Sequence, residues 1–137
     1  MDYEKLKIKG FKYWDLYLHK NQFPYIGRCY AWAKNNKADK INDMTKEEQN
    51  ELFEIIIPRW NNSIEKSFGK QRPNIACFGN TSPHLHWHFI PRYNKKIIFK
   101  GEPFIPVNPG KNYAPYPKTN MDSETLQEIK DLISINL

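Results

Sequence analysis

Apolar and polar positions alternate along four stretches of this chain and recur every fourth position along a fifth. YWDLYL at 13 to 18 and RCYAWA at 28 to 33 are short aromatic-rich runs, separated by NQFPYIG, whose Pro24 and Gly27 supply turn chemistry. They are predicted to pair as a hairpin. PNIACFG from residue 73 and HLHWHFIPRY from residue 84 form a second couple of strands, joined by the turn GNTSP.

Leu52, Ile56, Trp60, Ile64 and Phe68 follow one another at intervals of four, and Phe53 and Ile57 widen the stripe. This spacing predicts a helix whose single apolar face covers a sheet. Thr45 and Glu48 have the spacing of a capping box at its start, and Gly69 marks its end. Pro58 lies inside the pattern and cannot donate to the carbonyl four residues back, so a kink near Ile57 or two abutting helices are expected. A last helix is predicted from about residue 123, capped by Ser123 or Asp122, with Leu126, Ile129, Leu132 and Ile133 on one side. The stretch 101 to 119 carries prolines at 103, 106, 109, 115 and 117, which suits neither a central strand nor a helix. It is expected to wrap over the body or to reach a partner. The fold class is therefore α+β: one antiparallel sheet with helices on one face.

Length narrows this to one domain, residues 1–137, large enough to fold without a disulfide or a structural metal. Lys and Arg number 21 against 15 Asp and Glu, a formal net charge of +6. The excess attracts anions without choosing between nucleotide phosphates and nucleic acid, and it also serves solubility. The lysines are scattered and no RNA-binding motif accompanies them, so nucleic acid is not the expected partner. Cys29 and Cys77 show no zinc-site spacing and are expected to be buried thiols. The first residues, MDYEKLKIKG, lack the apolar core of a signal peptide, and no apolar run approaches the ~20 residues of a membrane span, so the cytoplasm is the expected compartment.

Three of the four histidines remain to be explained. His84, His86 and His88 stand at every second position, a pattern that chance gives about once in a thousand chains of this composition. In a strand they share one side while Leu85, Trp87 and Phe89 face the core. Three unrelated surface histidines are one explanation. A metal site is another, but the outer two Cα atoms of a regular strand stand about 13 Å apart, too far for one zinc ion. No metal or other cofactor is expected. Phosphorus chemistry is the third: neutral imidazole is a nucleophile, and neighbouring imidazoles hold phosphoryl oxygens where charge develops.

HLHWHFI, residues 84 to 90, matches the alternating His and apolar motif of the histidine-triad nucleotide-binding superfamily, and the chain resembles its diadenosine polyphosphate hydrolases. YWDLYLHKNQFPYIGR, DMTKEE, PNIACFGN and IPRY resemble the family's entry hairpin, helix start, pre-triad strand and following segment. The resemblance implies five antiparallel strands with flanking helices and reaction at the α-phosphate of a purine nucleotide derivative. It implies that His86 is the nucleophile, that His88 binds phosphate and assists the leaving group, and that His84 orients His86, partly through its carbonyl. Asn74 corresponds to an asparagine on the preceding strand. Asn80 stands where the family has glutamine, with Thr81 and Ser82 adding hydroxyls or amides. Asn21 matches a short polar ribose contact or serves the turn. Many members have a further histidine after the second strand, where this chain has Lys34, Asn35, Asn36 and Lys37. Arg92 is read as phosphate steering or a surface ion pair, and Trp14, Trp32 and Phe23 as adenine pocket or core. His19 is left unassigned at the surface or a pocket rim. Related proteins often form dimers, so a homodimer is the expected assembly.

Overall fold

The structure is a computed structural model that describes residues 2–137. Trp14–Leu18 (β2) and Cys29–Ala33 (β3) pair antiparallel as the expected hairpin, with Leu18 opposite Cys29. Arg72–Ala76 (β4) and His86–Arg92 (β5) also pair antiparallel, and β5 inserts beside β3. A fifth strand, Lys7–Gly10 (β1), lies along β2. The order is β1-β2-β3-β5-β4. The sequence reading did not include β1, because KIKG is too short and too charged to show a period. Nor did it include the small ribbon of Ile97–Phe99 (β6) and Glu102–Phe104 (β7), where Pro103 occupies a two-stranded edge that has no ladder to interrupt.

Alternation sorts the two faces. Cys29, Ala31 and Ala33 are fully buried, and so are Leu85 and Phe89. These lie under a long helix made of Lys46–Asn50 (α1), a π-helical stretch Glu51–Ile56 and Ile57–Phe68 (α2). Leu52, Ile56, Trp60 and Ile64 of its stripe have no exposed area. Trp60 meets Phe89 at 5.3 Å between rings, and its indole N–H donates to the Gly27 carbonyl at 3.2 Å. Gly27 has φ +96°, and a Cβ there would stand 2.7 Å from Ile64 Cδ1, so the hairpin loop and helix touch only because this residue is glycine.

The capping box at Thr45 is present in both directions, with the Thr45 N–H donating to Glu48 Oε1 at 2.7 Å. Pro58 does not split the helix, whose three segments follow one another without a gap. The ladder shifts ahead of it, with the Ile57 N–H donating to the Leu52 carbonyl five residues back, and Pro58 enters in the first turn of α2, where no donor is needed. Ser123–Asn136 (α3) is capped by Asp122, which accepts from the Thr125 N–H at 2.8 Å. It packs on α2, and the Ser63 hydroxyl donates to the Ile133 carbonyl at 2.7 Å. Cys29 is buried as expected, whereas Cys77 is only half buried because β4 is an edge strand. Among the described residues no helix is long and apolar enough to cross a membrane.

Ile64→Ala is expected to cost about 2–5 kcal/mol in urea denaturation, because the loop and the sheet cannot both close on the space left. Ile135→Ala, at a position 82% exposed, should stay within about 0.5 kcal/mol.

Candidate active site

The opposite face of the sheet carries the polar chemistry. Register places Trp32 beside His86, Tyr30 beside His88 and Tyr17 beside Tyr30. Two of the three triad imidazoles thus stand on an aromatic floor, and their ring centroids are 4.9 Å apart.

His84 departs from the expectation that all three histidines share one side of a strand. It precedes β5, in a bend where its N–H donates to the Ser82 carbonyl, and its ring stacks on Trp32 at 4.1 Å and 12°. Its Nε2 contacts the Ala33 carbonyl at 2.7 Å. A carbonyl only accepts, so Nε2 carries hydrogen and this ring is tied to the end of β3. What His84 offers the site is its own carbonyl, which lies 2.6 Å from His86 Nδ1. By the same logic Nδ1 of His86 is the protonated nitrogen, and in the neutral ring Nε2 keeps its lone pair.

His86 and His88 line a cavity of about 850 Å³, within the size range of small-ligand sites. Asn80, Thr81 and Ser82 form its exposed rim in the turn before the triad, and Asn21 lines it from the hairpin loop. Asn74 is not brought there. It lies opposite Ile90, one alternation beyond Ala76, which faces His88, so it opens on a separate hollow of about 410 Å³. In that hollow its side-chain oxygen accepts from Arg92 at 3.4 Å. Arg92 also donates to the Asn108 carbonyl at 2.6 Å and so anchors the proline-rich segment. Of the aromatic candidates only Trp32 lines the triad cavity; Trp14 is core, and Phe23 packs near Phe104. Lys34, Asn35, Asn36 and Lys37 are exposed and outside the cavity lining.

Two further residues line the cavity: His19, left unassigned at the surface or a pocket rim from the sequence, and Arg28, which was not singled out. His19 stands 6.1 Å from His88 between ring centroids, and its Nδ1 accepts the Asn21 N–H at 3.0 Å. Arg28 is 4% exposed. One buried side chain, Gln22, positions both: its amide donates to the His19 and Arg28 carbonyls at 2.7 and 2.9 Å, while its oxygen accepts the Gly27 N–H at 2.7 Å. The signal was available in the period of two. His19 continues the face of Tyr17, and Arg28 precedes Tyr30 and Trp32 on the face of β3 that holds the site.

The proline-rich segment wraps over the body as expected. Tyr25 donates its hydroxyl hydrogen to the Tyr113 carbonyl, and Asn108 Nδ2 donates to the Pro115 carbonyl at 2.6 Å. The Tyr113 and Tyr116 rings each lie 5.5 Å from the Arg28 guanidinium carbon. Lys20, Arg28 and Lys118 line the cavity and, among the described residues, no Asp or Glu does, so its field favours anions. Burial, then the Arg28 charge, then His86 hold His88 well below the usual imidazole range, at about 4. Burial and then Arg28 push His19 down to about 2. Among the described residues no three His, Cys, Asp or Glu side chains are grouped to hold a metal ion.

No protein-family model matches the chain, and no curated protein matches it by sequence. Solved structures do. A histidine triad protein from Marinobacter aquaeolei VT8 superimposes with a TM-score of 0.71 at 21% identity, covering 100% of this chain and 95% of that one. A histidine triad protein from Sinorhizobium meliloti 1021 gives 0.73 at 16%, covering 96% and 89%. One from Bradyrhizobium japonicum gives 0.70 at 19%, covering 93% and 86%. The chain has the histidine-triad fold. Its own triad, His84, His86 and His88, stands at the entry to β5, the strand between β3 and the edge strand β4.

Within this histidine-triad fold the neutral state of His88 leaves a mark on stability. The folded chain keeps His88 unprotonated down to about pH 4, whereas the unfolded chain binds that proton near the ordinary value of ~6.5. Between those limits the unfolded state holds more protons, so stability falls as pH drops from about 7 to about 4. His88→Gln is expected to reduce that slope, measured by urea midpoints across the range, and to leave the part that His19 contributes with the same sign. A slope equal to that of the unmutated chain would show that His88 is not held neutral.

Proposed function

We propose that the protein is a nucleotidyl hydrolase or transferase acting at the α-phosphate of a purine nucleotide derivative, a dinucleoside polyphosphate or a nucleoside phosphoramidate. The observation that carries this reading is the 2.6 Å contact of His86 Nδ1 with the His84 carbonyl, which leaves a nucleophilic nitrogen in a cavity free of carboxylates.

In the first step the His86 Nε2 lone pair forms a bond to the α-phosphorus, and the bond to the leaving group breaks with its electron pair on the departing atom. His88 supplies an N–H to the charge that develops there. In the second step water attacks the nucleotidyl-histidine, the N–P bond breaks back onto Nε2, and the nucleoside monophosphate departs after a water proton is lost to solvent. Asn80, Thr81 and Ser82 bind phosphoryl oxygens from the rim, and Asn21 meets the ribose. Asn74 supports Arg92 instead of touching substrate. The reaction uses no resident cofactor in this reading, and two chains pair as a cytoplasmic homodimer.

Incubation with diadenosine polyphosphate and with adenosine phosphoramidate is expected to release adenosine monophosphate from at least one. His86→Ala should lower that rate by about 10³-fold or more, and His88→Ala by about 10²- to 10⁴-fold. An intact-mass adduct of one nucleotidyl group on the unmutated chain, absent from His86→Ala, identifies the intermediate. Unchanged turnover in His86→Ala excludes the mechanism, and nucleotide binding without release by either protein makes the chain a binding module.

A further inference from the structure

Arg28 stands out among the charged groups of the molecule. Among the described residues no carboxylate lies within salt-bridge distance of it, although it is almost fully buried. A guanidinium cannot shed its proton to escape that position. One terminal nitrogen, Nη1, donates to the Tyr116 hydroxyl at 2.5 Å, and the Tyr113 and Tyr116 rings lie against the group from one side. The Nε–H, itself buried, has no hydrogen-bond partner among the described residues. A buried cation with an idle donor and only neutral neighbours is costly unless something anionic completes it. His19 and His88 cannot do so, since both are neutral rings beside it and Nδ1 of His88 is also buried without a partner.

We propose that Arg28 is the clamp for an anionic leaving group, so that this site selects phosphoanhydride over phosphoramidate substrates. The inference rests on the reaction proposed above for its substrate-class half, while anion binding at Arg28 stands on the geometry alone. When the bond between the α-phosphorus and its bridging oxygen breaks, the electron pair stays on that oxygen, and the departing phosphate gains negative charge. Arg28 donors meet that charge in a fixed fork beside His88. A departing amine instead takes a proton from solvent onto its nitrogen as the P–N bond breaks and leaves as a neutral or protonated species, so the same guanidinium offers it nothing or repels it. Tyr113 and Tyr116 are positioning residues here: their neighbouring rings, 5.9 Å apart, bear on the guanidinium from one side, and the Tyr116 hydroxyl fixes Nη1.

The first test titrates inorganic pyrophosphate into the intact chain and into Arg28→Gln by calorimetry. The variant is expected to bind about 10- to 100-fold more weakly, while its affinity for adenosine is unchanged. Affinity for pyrophosphate within twofold of the unmutated chain would overturn the clamp. A variant-free version follows the Arg28 Nε–H resonance in the unmutated protein: pyrophosphate should shift it and adenosine should not. Pyrophosphate binding with that resonance unmoved overturns the proposal as surely. The substrate-class half is read from kcat/KM. The unmutated chain should favour diadenosine polyphosphate over adenosine phosphoramidate by about tenfold or more, and Arg28→Gln should erase most of that preference. Equal losses on both substrates, or a native preference for the amidate, would refute it. If neither substrate turns over, the covalent reaction fails, and pyrophosphate binding decides the clamp by itself.

Discussion

One hydrogen bond organises this molecule, from His86 Nδ1 to the carbonyl of His84 two residues earlier. A ring free to choose its tautomer would present a nucleophilic nitrogen only part of the time. Here the choice is made by the main chain, and the main chain is held in turn. The His84 ring is pinned to Ala33 and stacked on Trp32, while the Leu85 N–H donates to the Ala38 carbonyl and the Leu85 carbonyl accepts from Ala33. Leu85 itself is fully buried. The end of β3, the segment after it and the entry to β5 therefore converge on one carbonyl oxygen.

Around that bond the fold separates two environments with a single sheet. One face is closed by the helix stripe, with Trp60 against Phe89. The other stays open above Tyr30 and Trp32, is roofed by residues 112 to 118, and gathers cations without acids. Burial, and after it the Arg28 charge, lowers the proton affinity of His19 and His88, so the cavity holds these two rings neutral beside a fixed positive charge. A phosphate entering such a space offsets that charge. Stability surrendered by an unpaired cation is the counterpart of that readiness.

Much of this was legible in the sequence, and the gaps have physical causes. Strand alternation exposed the His86 and His88 face, and the interval of four exposed the helix, because both are local periods. His84 was read as part of the strand, yet the bend that removes it is set by its contacts to Ala33 and Trp32, which are 51 or more residues away along the chain. Asn74 was placed one alternation too near the triad, since the β4–β5 register depends on loop length and not on residue type. Arg28 and His19 lay in view on the correct faces, but their approach is made by the Gln22 staple across the hairpin loop. Pro58 announced a break, and the π-helical shift ahead of it absorbed the missing donor instead.

The most direct examination of the account is nitrogen-15 spectroscopy of the imidazoles in the ligand-free protein, recorded where His86 is uncharged. Hydrogen on Nδ1 of His86, with Nε2 bare, is the result the structure requires. Hydrogen on Nε2 would mean that the His84 carbonyl does not set the tautomer and that no lone pair faces the cavity.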